Sequence, residues 1–186
     1  MSTESGTQCN VYHFLQSETI EIIDISTSDA HDHVLVHDVF QKCFSTFDLK
    51  AYKSKHQAIY NMLRDVIMKV NSWWTPNIAK LLSQFVEEGS SSKKKYAYLL
   101  LRDLIETYPT EIKISMPILV PMIASDVHDV LPVVKESASQ ALESILRCSG
   151  NDDLSAFIPA VIQGIKTPAE IYDSIESLAS CVFVQN

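Results

Sequence analysis

The chain has 186 residues, an apolar fraction of 46%, a charged fraction of 20% and a formal net charge of -8. That length and balance support a packed core rather than disorder, and a chain with only four glycines is poorly suited to a sandwich or barrel, which turns about every 8–12 residues. The acidic balance argues against nucleic-acid binding by the whole surface and leaves room only for a local basic patch.

Residues 1–10 are polar and small, as a disordered start would be. Residues 11–26 are rich in Ile and fit a strand or the helix of an incomplete first repeat equally well. We therefore expect a flexible or irregular segment over 1–29 and a helical domain over 30–186. From Ala30 the period turns helical. Val34, Val36, Val39, Phe40, Cys43, Phe44 and Phe47 form one apolar stripe, and Ala58, Ile59, Met62, Leu63, Val66, Ile67 and Val70 form a second. Residues 71–76 break the pattern, with Thr75 placed to cap a helix and Pro76 to start it.

A helix is expected over 76–88, with Ile78, Leu81, Leu82, Phe85 and Val86 inward. The turn Gly89-Ser90-Ser91-Ser92 supplies caps for its partner over 93–108, where Tyr96, Leu99, Leu100, Leu104 and Ile105 point inward. A third pair is expected over 114–125 and 131–148, with Asp126 and Asp129 capping its second helix. A fourth is expected over 154–165 and 169–184. The pairs as a whole fall at about 34–70, 76–108, 114–148 and 154–184.

The pairs repeat. Leu81-Leu82-Ser83-Gln84-Phe85 aligns with Leu119-Val120-Pro121-Met122-Ile123, and that with Phe157-Ile158-Pro159-Ala160-Val161, each shift being 38 residues. The second helices align less tightly, at roughly 37–41 residues, near the HEAT and armadillo period of about 40–47 and longer than the tetratricopeptide 34. One such pair cannot bury its apolar face alone, so neighbours must cover it. Pro121 and Pro159 each remove a backbone bond and are expected to bend the first helix. The fold class expected is all-α, a HEAT/armadillo-like solenoid of about four antiparallel pairs.

Chemistry-bearing residues are sparse. Cys9, Cys43, Cys148 and Cys181 form no CxxC pair and read as reduced thiols. His33 and His37 stand at i, i+4 beside His31, a spacing that can hold a metal. Without an HExxH or cysteine partner they read as a solvated helix start, and no metal or cofactor is expected. Cys43 with His37 or His56 can be drawn as a dyad, but a thiol on an apolar stripe reads as core. No nucleophile elbow and no GxxxxGK[ST] loop occurs, so no enzyme activity and no small-molecule substrate are expected. Trp73 and Trp74 read as core. Lys93, Lys94 and Lys95 open a helix against its dipole. With Lys135 they are the candidate contacts to a partner or to rRNA, against the alternative of a solvated face. Lys50, Lys53 and Lys55 form a second, weaker basic stretch. No apolar run is long enough to span a bilayer and no signal peptide opens the chain, so a cytoplasmic protein is expected.

Met116-Pro117-x-Leu119-x-Pro121, Val134-Lys135-x-x-Ala138-x-x-Ala141, Asn151-x-Asp153 and Phe157-Ile158-Pro159-x-x-Ile162-Gln163-x-Ile165-x-x-Pro168-x-Glu170 resemble the N-terminal HEAT region of translation elongation factor 3. The likeness covers about 74–184. In that family the HEAT region precedes two ABC-type ATPase cassettes and contacts the ribosome during elongation. The resemblance implies a ribosome-facing or partner-facing module without the ATPase activity. A related motif lies in the large HEAT scaffold that activates the general-control kinase of translation initiation, where it binds an ABC-type ATPase rather than being fused to one. A translation ATPase is therefore a second expected partner, and a generic HEAT adaptor with an unrelated protein partner is the alternative. The last pair would leave an apolar face uncapped, which favours a fragment of a longer protein or self-association.

Overall fold

The computed structural model describes residues 31–149, with side chains from Val36 onward. The flexible or irregular segment expected over 1–29, the fourth pair expected over 154–184 and the cysteines Cys9 and Cys181 lie outside the described residues. Within them every regular element is helical: α1 (His31–Thr46), α2 (His56–Lys69), α3 (Thr75–Glu88), α4 (Ser91–Thr107), α5 (Met116–Asp126) and α6 (Pro132–Cys148), with short 3-10 turns between some of them. The chain divides into two compact units, Met1–Asn71 and Ser72–Asn186.

In the first unit the α1 stripe is buried as its spacing requires: Val36, Val39, Phe40, Cys43, Phe44 and Phe47. Phe47 meets Phe44 edge-on at 5.2 Å and His56, the first residue of α2, edge-on at 5.1 Å. Aromatic pairs in this geometry add about 0.5–1.5 kcal/mol each beyond their area. The link between the helices winds through a 3-10 turn, Lys50–Lys55, none of whose residues is buried. α2 then buries His56, Ile59, Tyr60, Leu63, Val66 and Ile67 at three- and four-residue steps.

In the second unit the chain enters α3 through a 3-10 turn, Ser72–Trp74, so Trp74 rather than Thr75 occupies the cap position, with helical backbone angles. Thr75 therefore lies inside the helix and does not cap it. Its Oγ1 is buried and makes no hydrogen bond. Pro76 sits in the first turn as expected. α3 ends at Gly89, where a Cβ would collide with the Phe85 carbonyl oxygen and lie 2.8 Å from the Lys93 Cβ. Ser90 caps α4, its Oγ accepting from the Lys93 N–H at 3.4 Å.

α4 packs against both α3 and α6, and α5 packs against α6. The α4–α6 contact has a definite direction and register. The Arg102 Nη1 donates to Gln140 Oε1 at 3.0 Å, and the Ser144 Oγ donates to Glu106 Oε1 at 2.7 Å. Both pairs are 38 residues apart, so the two helices run parallel; in an antiparallel pair the separation would change along the helix. The small residues Ser137, Ala138, Ala141 and Ser144 on the buried face of α6 let the backbones approach. The offset of the second helices is thus 38, the same as that of the first.

Burial follows the same register. Ile78 and Met116, Leu81 and Leu119, Leu82 and Val120, Phe85 and Ile123, Val86 and Ala124 are all buried in α3 and α5. So are Tyr96 and Val134, Leu100 and Ala138, Leu104 and Leu142 in α4 and α6. The repetition read from the sequence is therefore a repetition of environment.

Candidate partner-facing surface

Parallel α4 and α6 bring their N-terminal turns to one end of the second unit. That places Lys93, Lys94 and Lys95 at the same end as Lys135. The four lysines are not equivalent. Lys94 is drawn onto the α5–α6 turn, with its Nζ 2.8 Å from Asp126 Oδ2 and 3.7 Å from Asp129 Oδ2. The same Asp126 oxygen accepts the Tyr98 hydroxyl at 2.9 Å. Asp126 thus ties the start of α4 to the end of α5 and does not cap α6. Asp129 does serve the start of α6, accepting from the Leu131 N–H at 2.8 Å. The charge of Lys94 near a helix N-terminus is locally offset by these two carboxylates. Lys95 lies over the Tyr96 ring at 5.1 Å. Lys93 is half-buried and Lys135 exposed.

Tyr98 was not visible as an inward residue in the sequence, yet it is fully buried. Its phenol is pushed well above the usual tyrosine range by burial first, then by the charge and hydrogen bond of Asp126 and the charge of Asp129. Arg102, Glu106, Gln140 and Ser144 were also missed. The signal that could have found them was present: each pair is separated by the repeat length.

Other candidates resolve plainly. Trp74 is buried, but Trp73 is 54% exposed, its ring tilted 34° against that of Trp74 at 4.5 Å between centroids. Only one of the two tryptophans is core, because a three-residue 3-10 turn cannot direct two adjacent rings inward. Cys43 has no exposure, and burial pushes its thiol up to about 12, so it is held as the inert thiol rather than the thiolate. Among the described residues no cluster of His, Cys, Asp or Glu could hold a metal. The His31 and His33 side chains lie outside that description. No described helix is long and apolar enough to cross a membrane. Besides Trp73, apolar side chains among the described residues of the second unit reach solvent at Ile114 and Ile118, before and in α5, and at Val130, Leu131 and Val133 around the start of α6.

Against known proteins, the chain is 28% identical over 123 residues to elongation factor 3 of Gonapodya prolifera, covering 66% of this chain and 11% of that protein. It is 26% identical over 135 residues to elongation factor 3 of Candida albicans (70% and 13%). It is 26% identical over 123 residues to elongation factor 3B of Saccharomyces cerevisiae (66% and 12%). This chain is similar to a segment of elongation factor 3. It spans only 11–13% of the length of these relatives, and neither a family model nor a solved structure matches it. The elongation factor 3-like motif Val134-Lys135-x-x-Ala138-x-x-Ala141 falls on α6 with Val134, Ala138 and Ala141 buried and Lys135 outside. Its apolar positions are packing positions, and its lysine is the one that faces solvent.

Proposed function

We propose that this chain is a non-catalytic HEAT-type module, similar to the N-terminal region of elongation factor 3, that binds the ribosome or a translation-associated ATPase during elongation. The observation that carries this reading is the 38-residue register of α4 and α6, in a chain whose relatives are named elongation factor 3. Helix pairs stacked at a constant offset form an extended surface, and such surfaces bind macromolecules. On this reading residues 30–186 form one solenoid, 154–184 continue it as a fourth pair, and the protein works in the cytoplasm. Self-association through the last repeat belongs to the same reading. Lys93, Lys95 and Lys135 are the partner contacts, with Lys94 serving structure.

A second reading, an adaptor for an unrelated protein, is favoured by the capture of Lys94 by Asp126 and Asp129, which weakens the most concentrated lysine run as a phosphate contact. Ribosome co-sedimentation separates the two. The first reading expects the chain in the ribosome pellet at 50 mM salt, released as salt rises, and released earlier in the variant Lys93→Glu with Lys95→Glu and Lys135→Glu. Absence from the pellet at every salt concentration, with no binding to a translation ATPase, leaves the adaptor.

A further inference from the structure

The net charge of -8 conceals an uneven distribution. Fourteen of the fifteen Lys and Arg residues fall within 31–149, whereas ten of the twenty-three Asp and Glu residues fall outside it. The helical body is therefore near neutral, and the argument that an acidic chain repels phosphate does not apply to it. Its densest basic surface outside the α4 start is the 3-10 turn Lys50–Lys55, with the sequence Lys50-Ala51-Tyr52-Lys53-Ser54-Lys55.

Three features set this turn apart from Lys93, Lys94 and Lys95. Its three lysines are all exposed, whereas Lys93, Lys94 and Lys95 are each half-buried, and none of its six residues is acidic or buried, so the core does not require these side chains. Lys50 and Lys53 form no ion pair with any described residue, whereas Lys94 has two carboxylates. Finally, a 3-10 helix has three residues per turn and rises about 2 Å per residue. Lys50 and Lys53 are therefore carried one above the other on one edge, about 6 Å apart. The half-exposed Tyr52 lies between them in sequence, with the Lys55 Nζ 5.7 Å from its ring centroid. Lysines alongside an aromatic ring are the elements of a single-stranded nucleic-acid contact: charge for the phosphates and a flat face for a base.

We propose that the Lys50–Lys55 turn is an RNA-binding surface of this protein, contacting backbone phosphates through Lys50, Lys53 and Lys55 and a base through Tyr52. It deepens the ribosome-facing reading above and rests on it for its biological setting, though not for its chemistry. An acidic protein segment would also be attracted to three lysines, but it would have no use for the aromatic ring.

The test is fluorescence anisotropy of the full chain with a labelled 20-nucleotide single-stranded RNA between 50 and 200 mM salt. Each phosphate contact contributes a slope of about 0.7 in log K against log salt. Three contacts therefore weaken binding by about 20-fold over that fourfold range. The variant Lys50→Gln with Lys53→Gln and Lys55→Gln should lose that salt-dependent part, and Tyr52→Ala should weaken binding several-fold without changing the slope. An unchanged slope in the lysine variant overturns the proposal. So does saturable binding of a poly-glutamate peptide with none of RNA. A melting curve of the variant guards against misfolding; if it shifts, the single variants Lys50→Gln and Lys53→Gln carry the test, each expected to lower the slope by about 0.7. Ribosome pelleting separates this proposal from the broader one. A chain that binds RNA through this turn but never pellets keeps the surface and loses the ribosome, and a variant that pellets at wild-type salt resistance keeps the ribosome and loses the surface.

Discussion

Replacing Tyr98 with phenylalanine removes one oxygen and leaves the ring, so it isolates the tie between α4 and α5. The ring is fully buried, and its hydroxyl donates to Asp126 Oδ2 at 2.9 Å. A hydrogen bond to a charged group is worth about 1.5–3 kcal/mol. The lower end applies, because Asp126 keeps Lys94 at 2.8 Å and its side chain retains 16% exposure, so water can take the vacated site. The expected cost is about 1.5 kcal/mol, which for a chain of this size lowers Tm by about 3–6 °C. Urea denaturation at pH 7 measures it, and a double-mutant cycle with Asp126→Asn should return a coupling of at least about 1 kcal/mol. The pH dependence supplies a second readout. The folded-state pKa of Tyr98 is raised above its ordinary 10.0, so the unfolded chain ionises first. The stabilisation is complete below about pH 10 and is lost as pH rises above it. Tyr98→Phe should therefore be less stable than wild type at pH 7 and lose less stability above pH 10. A variant as stable as wild type at pH 7, with an unchanged alkaline limb, would refute the assignment of this hydroxyl to Asp126.

Four further outcomes follow from the same geometry. Thr75→Val replaces a buried hydroxyl that has no hydrogen bond with a methyl of similar shape, and should be neutral or stabilising by up to about 1 kcal/mol in urea denaturation. Gly89→Ala should destabilise by about 1–3 kcal/mol, since its Cβ meets the Phe85 carbonyl oxygen, and calorimetry would register this as a lower Tm. The Cys43 thiol is raised from 9.0 to about 12, so stability should fall as pH rises from about 9 towards 12, and a Cys43→Ala chain should show a shallower decline over that window in urea midpoints. Leu101→Ala should cost about 2–5 kcal/mol while Ser139→Ala, one repeat later, changes stability by less than about 0.5 kcal/mol, as paired denaturation curves would report.

How much of this was legible in the sequence depends on whether the information was periodic. Helix positions were, because the spacing of apolar residues fixes which face is buried. α3 buries every residue its spacing implied, and α2 all of its stripe except Ala58 and Met62, which are half-buried. Ser90 as a cap was legible too, since a serine run after a helix-ending glycine has few other uses. Thr75 looked equally suitable, and failed because the preceding 3-10 turn had already given Trp74 helical angles. Local composition does not announce such a turn. The Asp126 contacts with Lys94 and Tyr98 were illegible for another reason: they join residues 28 and 32 apart, and no single-helix period specifies what stands opposite. Glu106–Ser144 and Arg102–Gln140 are the instructive middle case. They were hidden from helix-by-helix reading but lie at the repeat offset, where a comparison of polar positions as well as apolar ones would have paired them.

The repeat is one of position and not of role, and α4 and α6 show why. Tyr96, Leu100 and Leu104 have buried counterparts in α6, but Tyr98, Leu101 and Ile105 correspond to Glu136, Ser139 and Glu143, which are exposed. α4 is thus apolar on two faces and α6 on one. α4 packs against α3 and α6, and α6 against α4 and α5, so each has two described neighbours and the two helices differ in which of their faces those neighbours cover. Binding residues are then free to vary only on what remains uncovered, such as the first turns of α4 and α6 and the solvent side of connecting turns. The packing positions shared by α4 and α6 are fixed by their neighbours, and the partner contacts proposed above fall where the repeat rule stops. Seven of the eleven lysines among the described residues lie in the first turns of α4 and α6 or in the Lys50–Lys55 turn, whereas Lys42 and Lys80 lie within helix bodies.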